Sequence, residues 1–471
     1  MSRSHFAVLA LLYALLIAYA STLVGPAGPH FVALDPGIAW QRFLATPYVE
    51  NGSDQRADWM GNLSMLVPFG FLLTGSLWRP AGSRVMAVVT TGALCLSLVL
   101  AVKYAQLFFP PRTVTLNYIL AQGIGAALGI GLFAMTHGRL AAILLGRAGG
   151  GLEPLMFVLQ AYTAALIVFL LMPLDFALNP SDLGVQFDRL PGVLTAVTGE
   201  GRPAVTRVVL ILAGTAALLP VGMLLTVTRQ RRAVIGRSVS AATGRGFLLM
   251  LAVFALSTLV ISGSPSLLSL LYRTLGIAAG AWLMRYLARA DLDRVRRGLA
   301  RAAPWLAIPY LGLLLAVNGL LSVHWLGLTR AANLAYPLGV LPLFDYYIVT
   351  KAEAAKNIVG HVVMYAPIGV LLWARGRPSA AGLTAGLLSL AIEAARYFRP
   401  GLEGDVNAVA VAALSAWGTV RLMPLVWWML ERVAPPRAAP VPGVIGWRER
   451  ARAAQFRTVR GVEAAGDIEE F

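Results

Sequence analysis

The sequence predicts an all-α, polytopic membrane protein with about twelve transmembrane helices in three four-helix repeats. Of its 471 residues, 58% are hydrophobic and only 13% are charged. A soluble domain has roughly 25% charged residues, so this chain has too few polar side chains to cover a water-exposed globule. A lipid bilayer is a solvent in which such an apolar surface is stable. Composition therefore predicts a membrane protein.

The pattern Pro-x-Gly-x-Leu-Leu occurs three times and predicts the repeats. It begins at Pro68, Pro220 and Pro367, at spacings of 152 and 147 residues. Nearly equal spacing of such a pattern is typical of a multiplied unit. The predicted units are named repeats one, two and three. They cover residues 1–150, 151–302 and 303–432, and a disordered cytoplasmic tail is predicted for 433–471.

A transmembrane helix needs about 20 mainly apolar residues, and each repeat contains four such segments. They lie near 6–24, 60–77, 85–108 and 117–136; near 153–173, 207–228, 246–262 and 267–288; and near 304–323, 357–374, 379–398 and 405–424. The first segment is interpreted as a retained helix, because no small-residue signal-peptide cleavage site stands out and further spans follow.

Arginine is concentrated in alternate loops, and this asymmetry predicts the orientation. The two richest internal loops contain Arg229, Arg231, Arg232, Arg237 and Arg245, and Arg289, Arg294, Arg296, Arg297 and Arg301. Basic loops favour the cytoplasmic side of a membrane. The sequence therefore predicts a multi-pass protein of the bacterial inner (cytoplasmic) membrane with both termini in the cytoplasm. Long outer loops are predicted at 25–57, 174–206 and 324–356.

The net charge of +17 does not indicate a nucleic-acid partner, because the basic residues lie between apolar stretches. Membrane lipids are the expected partners, and the oligomeric state is left open.

The one cysteine, Cys95, excludes an internal disulfide and a cysteine-based metal site. His361 has no second histidine nearby, and the chain contains no nucleotide-binding loop. We therefore predict neither a metal nor a cofactor.

Polar residues precede the proline in repeats one and three. They are Asp58 and Asn62 in repeat one, and Asn357, His361 and Tyr365 in repeat three. The spacing of four places the second set on one helical face. Repeat two has Leu210 and Gly214 at the positions of Asp58 and Asn62. Since repeat two keeps the proline pattern without these polar residues, we interpret the pattern as a packing kink and the polar residues as ligand-binding candidates.

A second set of candidates lies at the end of the third span. It comprises Lys103, Gln106 and Arg112 in repeat one, and Glu393, Arg396, Arg399 and Asp405 in repeat three. Repeat two has only Phe254 and Ser257 in this region. A charge close to the apolar part of a membrane is costly, so partners are expected. The structural alternatives are an ion pair between Lys103 and Glu393, or side chains that extend to the outer interface.

These residues resemble the VanZ-like membrane family. The resemblance is carried by Gln106-Leu107-Phe108 with Arg112, Gly125 and Gly129, and by Asn62 with the segment 68–73; His361 and Tyr365 resemble a variant of the family. The chain departs from the family pattern at several positions: Lys103 replaces an acidic residue, Tyr118 an Asp, Gln122 an Asn, and Arg396 a Gln. The resemblance implies an envelope membrane protein with a role like that of a teicoplanin-resistance determinant.

Three classes of function stay open. In the first, the protein binds or modulates a lipid-linked or anionic envelope component at an outward-facing site between repeats one and three. Its phosphate or carboxylate would contact Lys103, Arg112, Arg396 and Arg399. In the second, an enzyme acts on an envelope lipid or glycan precursor, with catalytic candidates His361, Glu393 and Asp405. The third is a transporter, although the inverted repeat typical of transporters is absent.

Overall fold

The computed structural model describes residues 3–23, 30–49, 53–79, 82–110, 114–144, 153–177, 179–195, 204–227, 238–263, 265–321, 324–329, 349, 351–402 and 404–431. The predicted tail at 433–471 and the candidate residue Arg112 lie outside these ranges.

The described residues form an all-α fold, as predicted. Repeat one contains α1 (Arg3–Thr22), α2 (Pro36–Leu44), α3 (Ser53–Leu77), α4 (Arg84–Gln106) and α5 (Leu116–Leu144). Repeat two contains α6 (Glu153–Leu170), α7 (Pro180–Thr195), α8 (Ala204–Ala217), α9 (Leu219–Thr226), α10 (Val239–Thr258) and α11 (Leu267–Leu287). Repeat three contains α12 (Leu292–Val317), α13 (Lys351–Ala374), α14 (Ala381–Arg396) and α15 (Val406–Glu431).

Twelve of the described segments are long and apolar enough to cross a membrane, and each overlaps one predicted span. The segment Ala204–Thr226 consists of α8 and α9, which are separated at Leu218, just before Pro220. Proline lacks a backbone N–H and disturbs the preceding helical turn, which explains the break. The short helices α2 and α7 lie in two of the predicted outer loops and each begins with a proline.

The helix that contains the predicted ninth span, near 304–323, begins before that span. The helix α12 begins at Leu292, so Arg294, Arg296, Arg297 and Arg301 are helical instead of belonging to a loop. The carboxylate of Asp291 accepts hydrogen bonds from the backbone N–H groups of Asp293 and Arg294 and caps the helix. Arginine is a good helix former and can extend its charged end toward water. The charged residues therefore do not mark where this helix begins.

The glycine of the repeated pattern packs against the fourth span of its repeat. A Cβ atom added at Gly70 would lie 2.4 Å from the carbonyl oxygen of Ala126, and one at Gly222 would lie 2.0 Å from that of Ile277. The corresponding distance from Gly369 to the carbonyl oxygen of Ala416 is 2.6 Å. These glycines allow the helices to approach closely, so the interpretation of the glycine as a packing position is confirmed.

A tyrosine of the first span binds the proline-containing second span in all three repeats. The hydroxyl of Tyr13 donates to the carbonyl of Met65 at 3.0 Å, and that of Tyr162 donates to the carbonyl of Ala217 at 2.8 Å. Tyr310 donates in the same way to the carbonyl of Met364. Each acceptor lies three residues before the proline of the pattern.

The segment after the first span docks on the end of the third span through a backbone hydrogen bond. The N–H groups of Val32, Ala177 and Leu326 donate to the carbonyls of Phe108, Leu259 and Phe398, at 2.9, 2.8 and 2.8 Å. Such equivalent contacts support the triplicated organisation that we propose. Between the proposed repeats, α3 contacts α13, α6 contacts α15 and α8 contacts α12.

Candidate functional site

The candidates of repeat three converge where α14 ends and α15 begins. Glu393 is 4% exposed, and its Oε2 accepts a hydrogen bond from Nη1 of Arg396 at 3.0 Å. The same oxygen accepts the backbone N–H of Asp405 at 2.9 Å. Because residues three apart are neighbours on a helix, the ion pair is local to α14. Glu393 thus finds its cationic partner in its own helix, not in Lys103 of repeat one.

Three buried polar atoms in this cluster have no hydrogen-bond partner. They are Oε1 of Glu393, Nε of Arg396 and Oγ of Ser389. The Ser389 hydroxyl lies near the phenol of Tyr365, which is 1% exposed, without a hydrogen bond of standard geometry. Buried polar atoms are normally satisfied by protein or water. Their concentration here marks a place where a polar ligand group or water would complete the bonding.

The polar face of α13 leads toward this cluster. Asn357 is exposed, His361 is half-buried and Tyr365 is fully buried, so burial increases along the predicted face. The Nδ1 atom of His361 lies 2.9 Å from the carbonyl oxygen of Asn357. Tyr365 belongs to the same buried side-chain cluster as Ile392, the residue before Glu393. The three residues therefore extend from the exposed part of α13 to the core beside the pair of Glu393 and Arg396.

Asp405 and Arg399 make structural contacts. The Oδ1 atom of Asp405 accepts the backbone N–H and the side-chain amide of Asn407, at 2.7 and 2.8 Å, at the start of α15. Arg399 donates to the carbonyls of Gly319 and His324 and lies over the ring of Trp325. These contacts cap α15 and attach the segment after α12 to the end of α14.

The candidates of repeat one form a second cluster between α3 and α5. The side-chain oxygen of Asn62 accepts a hydrogen bond from Nε2 of Gln122 at 2.9 Å, and its Nδ2 donates to the carbonyl of Asp58. The buried Lys103 places its Nζ 5.5 Å from the centre of the Tyr118 ring, at the distance of a cation–π contact. Tyr118 in turn interacts electrostatically with the exposed Asp58.

Gln106 links the end of α4 to the end of α1. Its Nε2 donates to the carbonyl of Ser21 at 2.9 Å, while its buried Oε1 has no partner. The two clusters thus each contain an unsatisfied buried oxygen. The contacts just described join residues of the same repeat. Between the repeats, α3, which carries Asp58 and Asn62, contacts α13, which carries His361. A shared site between repeats one and three stays a proposal.

Sequence reasoning missed a buried carboxylate in repeat two. Asp175 is 1% exposed, and its Oδ2 accepts hydrogen bonds from the backbone N–H and the hydroxyl of Ser262, while Oδ1 is unpaired. The available signal in the sequence was a single acidic residue directly after the fifth apolar segment, near 153–173. Nearby, Arg56 of repeat one forms an ion pair with Asp182 of repeat two at 2.8 Å. Repeat two therefore holds polar groups in its outer segments.

Within the described part of the chain, no group of three or more histidine, cysteine, aspartate or glutamate side chains is placed to hold a metal ion.

The fold and the clusters define a multi-pass α-helical membrane protein with buried polar groups near the ends of its spans. Residues 6–137 match the family VanZ/LLP1, which confirms the VanZ-like resemblance for that segment. The match covers the four spans of repeat one. No match is found among the curated proteins or the solved structures.

Proposed function

We propose that this VanZ-like protein binds or modulates a lipid-linked or anionic component of the bacterial envelope. The proposed site is polar, faces outward and lies between repeats one and three. The observation that carries the proposal is the partly buried pair of Glu393 and Arg396, in which the buried atoms Oε1 of Glu393 and Nε of Arg396 lack partners.

A purely structural ion pair in an apolar environment is stable only if its remaining atoms are also hydrogen-bonded. Here the Arg396 side chain is 23% exposed and that of Glu393 is 5% exposed, so the arginine is the more accessible partner. A guanidinium group presents a planar fork that suits phosphate and carboxylate groups. An anionic headgroup could thus bind Arg396 beside the glutamate, guided by the polar face of α13.

The contribution of repeat one comes from the neighbouring helix α3. Asp58 is exposed there, and the cation of Lys103 lies deeper, against Tyr118. The Glu393 cluster would bind the anionic part of a ligand at Arg396, and the repeat-one cluster would bind a neutral polar part. By resemblance to the family, the proposed role is one like glycopeptide resistance, in the inner membrane and with cytoplasmic termini.

The alternative is a membrane enzyme acting on an envelope lipid or glycan precursor. The presence of His361 on α13 and Glu393 on α14, two helices that contact each other, favours it, since histidine and carboxylate side chains are common proton-transfer groups. Asp405 is the weaker catalytic candidate because one of its oxygens already caps α15. Transport is a further alternative, against which stands the parallel arrangement of the three proposed units.

The test is envelope-drug sensitivity in a bacterial host that expresses the full chain or a variant. Glu393→Gln removes the negative charge, and Arg396→Lys keeps the positive charge but removes the fork and Nε. Both variants should change teicoplanin sensitivity while protein levels stay normal. The matched control is Arg421→Lys, at an exposed arginine of α15 that lies over Trp417.

Wild-type sensitivity in both variants would reject the site. The enzyme alternative is separated by mass spectrometry of the lipid-linked precursors. A mass change in a precursor that depends on the protein and is lost in His361→Ala indicates catalysis. Changed sensitivity with unchanged precursor masses indicates binding.

A further inference from the structure

A large cavity lies at the junction of repeats two and three, between the end of α11 and the start of α12. Its volume is about 800 Å³. The side chains that decide its chemistry are Trp282, Arg285, Tyr286, Arg289, Arg294 and Leu299. Successive spans alternate in direction, so the cavity lies on the opposite side of the membrane from the Glu393 cluster. It is independent of the proposed outward-facing site.

The cavity is strongly basic. Three arginines and one aspartate line it, which leaves a net charge of +2. The aspartate, Asp291, already uses its Oδ1 to accept the backbone N–H groups of Asp293 and Arg294 at the start of α12. Arg289, in the turn after α11, and Arg294, in the first turn of α12, are exposed and line the cavity. The arrangement presents guanidinium groups to an anion from both sides.

An aromatic pair places the cavity at the membrane interface. Trp282 and Tyr286 are 62% and 51% exposed, and their rings stack with centroids 5.7 Å apart and an angle of 9°. Tryptophan and tyrosine prefer the depth of the lipid headgroups, where one part of the ring is apolar and another is wet. On the same helix, Met284 and Ala288 are buried in the protein core, so the aromatic pair lies on the outer surface of α11.

We propose that this cavity binds an anionic phospholipid, with the phosphate at Arg289 and Arg294 and the first part of the acyl chains along Trp282 and Leu299. Basic pockets between transmembrane helices commonly recognise anionic lipid headgroups on the cytoplasmic side. The arginine distribution assigns this end of the molecule to that side. A free phosphate would leave the apolar part of the lining uncovered, which is why a lipid fits better than a soluble anion.

The test is binding of phosphatidylglycerol to the detergent-purified full chain, measured by native mass spectrometry. The variant R289Q/R294Q removes two charges from the cavity. The control R297Q/R301Q removes two charges from exposed positions of the same helix that do not line the cavity. Because two charged contacts are lost, the cavity variant should bind the lipid at least about tenfold more weakly. The control should stay within about twofold of wild type.

Two further arms identify the ligand. Phosphatidylcholine, whose headgroup is zwitterionic, should bind the wild type more weakly than phosphatidylglycerol. Glycerol 1-phosphate should fail to displace the bound lipid. Trp282→Ala keeps all the arginines and should still weaken phosphatidylglycerol binding, because the acyl chains lose their contact.

Three results would overturn the proposal. Equal losses in the cavity and control variants would show general attraction to positive charge. Unchanged binding in the cavity variant would show that the lipid binds elsewhere. Displacement of the lipid by glycerol 1-phosphate at similar concentrations would show a site for a soluble phosphate. Size-exclusion profiles that match the wild type establish that each variant is folded.

Discussion

Gly123 and Gly125 lie two residues apart on α5 and have different surroundings. A Cβ added at Gly125 would lie 2.0 Å from the carbonyl oxygen of Leu63, whereas one at Gly123 would meet nothing within 4 Å. Gly125 is therefore a position of close helix packing, and Gly123 is not. Gly125→Ala should destabilise the protein by about 1–3 kcal/mol or more, because α3 and α5 must separate.

Gly123→Ala is the matched control. Alanine favours a helix over glycine by roughly 1 kcal/mol, so this variant should be neutral or slightly stabilised. The measurement is the apparent unfolding temperature of both variants in the same detergent. Equal behaviour of the two would contradict the close packing of α3 and α5.

At the scale of the element, each proline-containing second span accepts one hydrogen bond from a tyrosine of the first span. Tyr13→Phe, Tyr162→Phe and Tyr310→Phe each remove a hydroxyl that donates to the carbonyl three residues before the proline. Each should lower the free energy of unfolding by about 0.5–1.5 kcal/mol. Tyr48→Phe, at a residue that is 63% exposed, is the control.

The three losses should add, because the residues lie in different proposed units and distant sites are independent to within about 0.5 kcal/mol. Unfolding in detergent of the single and triple variants tests this. A triple variant no less stable than the single ones would contradict an independent contribution of each hydrogen bond to the free energy of unfolding.

The spans were predictable because a membrane helix must hydrogen-bond its own backbone N–H and C=O groups and must be long enough to cross the hydrocarbon layer. Both requirements produce a run of about 20 apolar residues, which the sequence shows directly. Contacts between spans were not predictable. Tyr13 and Met65 are 52 residues apart, and nothing local to either residue indicates the other. Spacing also placed Asn357, His361 and Tyr365 on one face, but their different burial depends on α14 and α15. Arg294, Arg296, Arg297 and Arg301 were assigned to a loop because their charge marks the end of the apolar segment, not the end of the helix.

At the scale of the whole molecule, the polar features divide between the two ends of the bundle. One end has the Glu393 cluster, the Asp175 carboxylate and the pair of Arg56 and Asp182, which involve segments predicted to face outward. The other end has the basic cavity between α11 and α12. Both functional proposals therefore depend on one property of the fold, which is its orientation in the membrane.

That orientation is testable by cysteine labelling, because the native Cys95 is only 1% exposed and should react little. Ser181 of α7 and Ser379, in the turn before α14, are exposed and lie on the predicted outer and cytoplasmic sides. In right-side-out vesicles, a membrane-impermeant maleimide should label S181C and not S379C. Inside-out vesicles should reverse the result. The same pattern with the sides exchanged would invert the topology, and it would move the Glu393 cluster to the cytoplasm and the basic cavity to the outer leaflet.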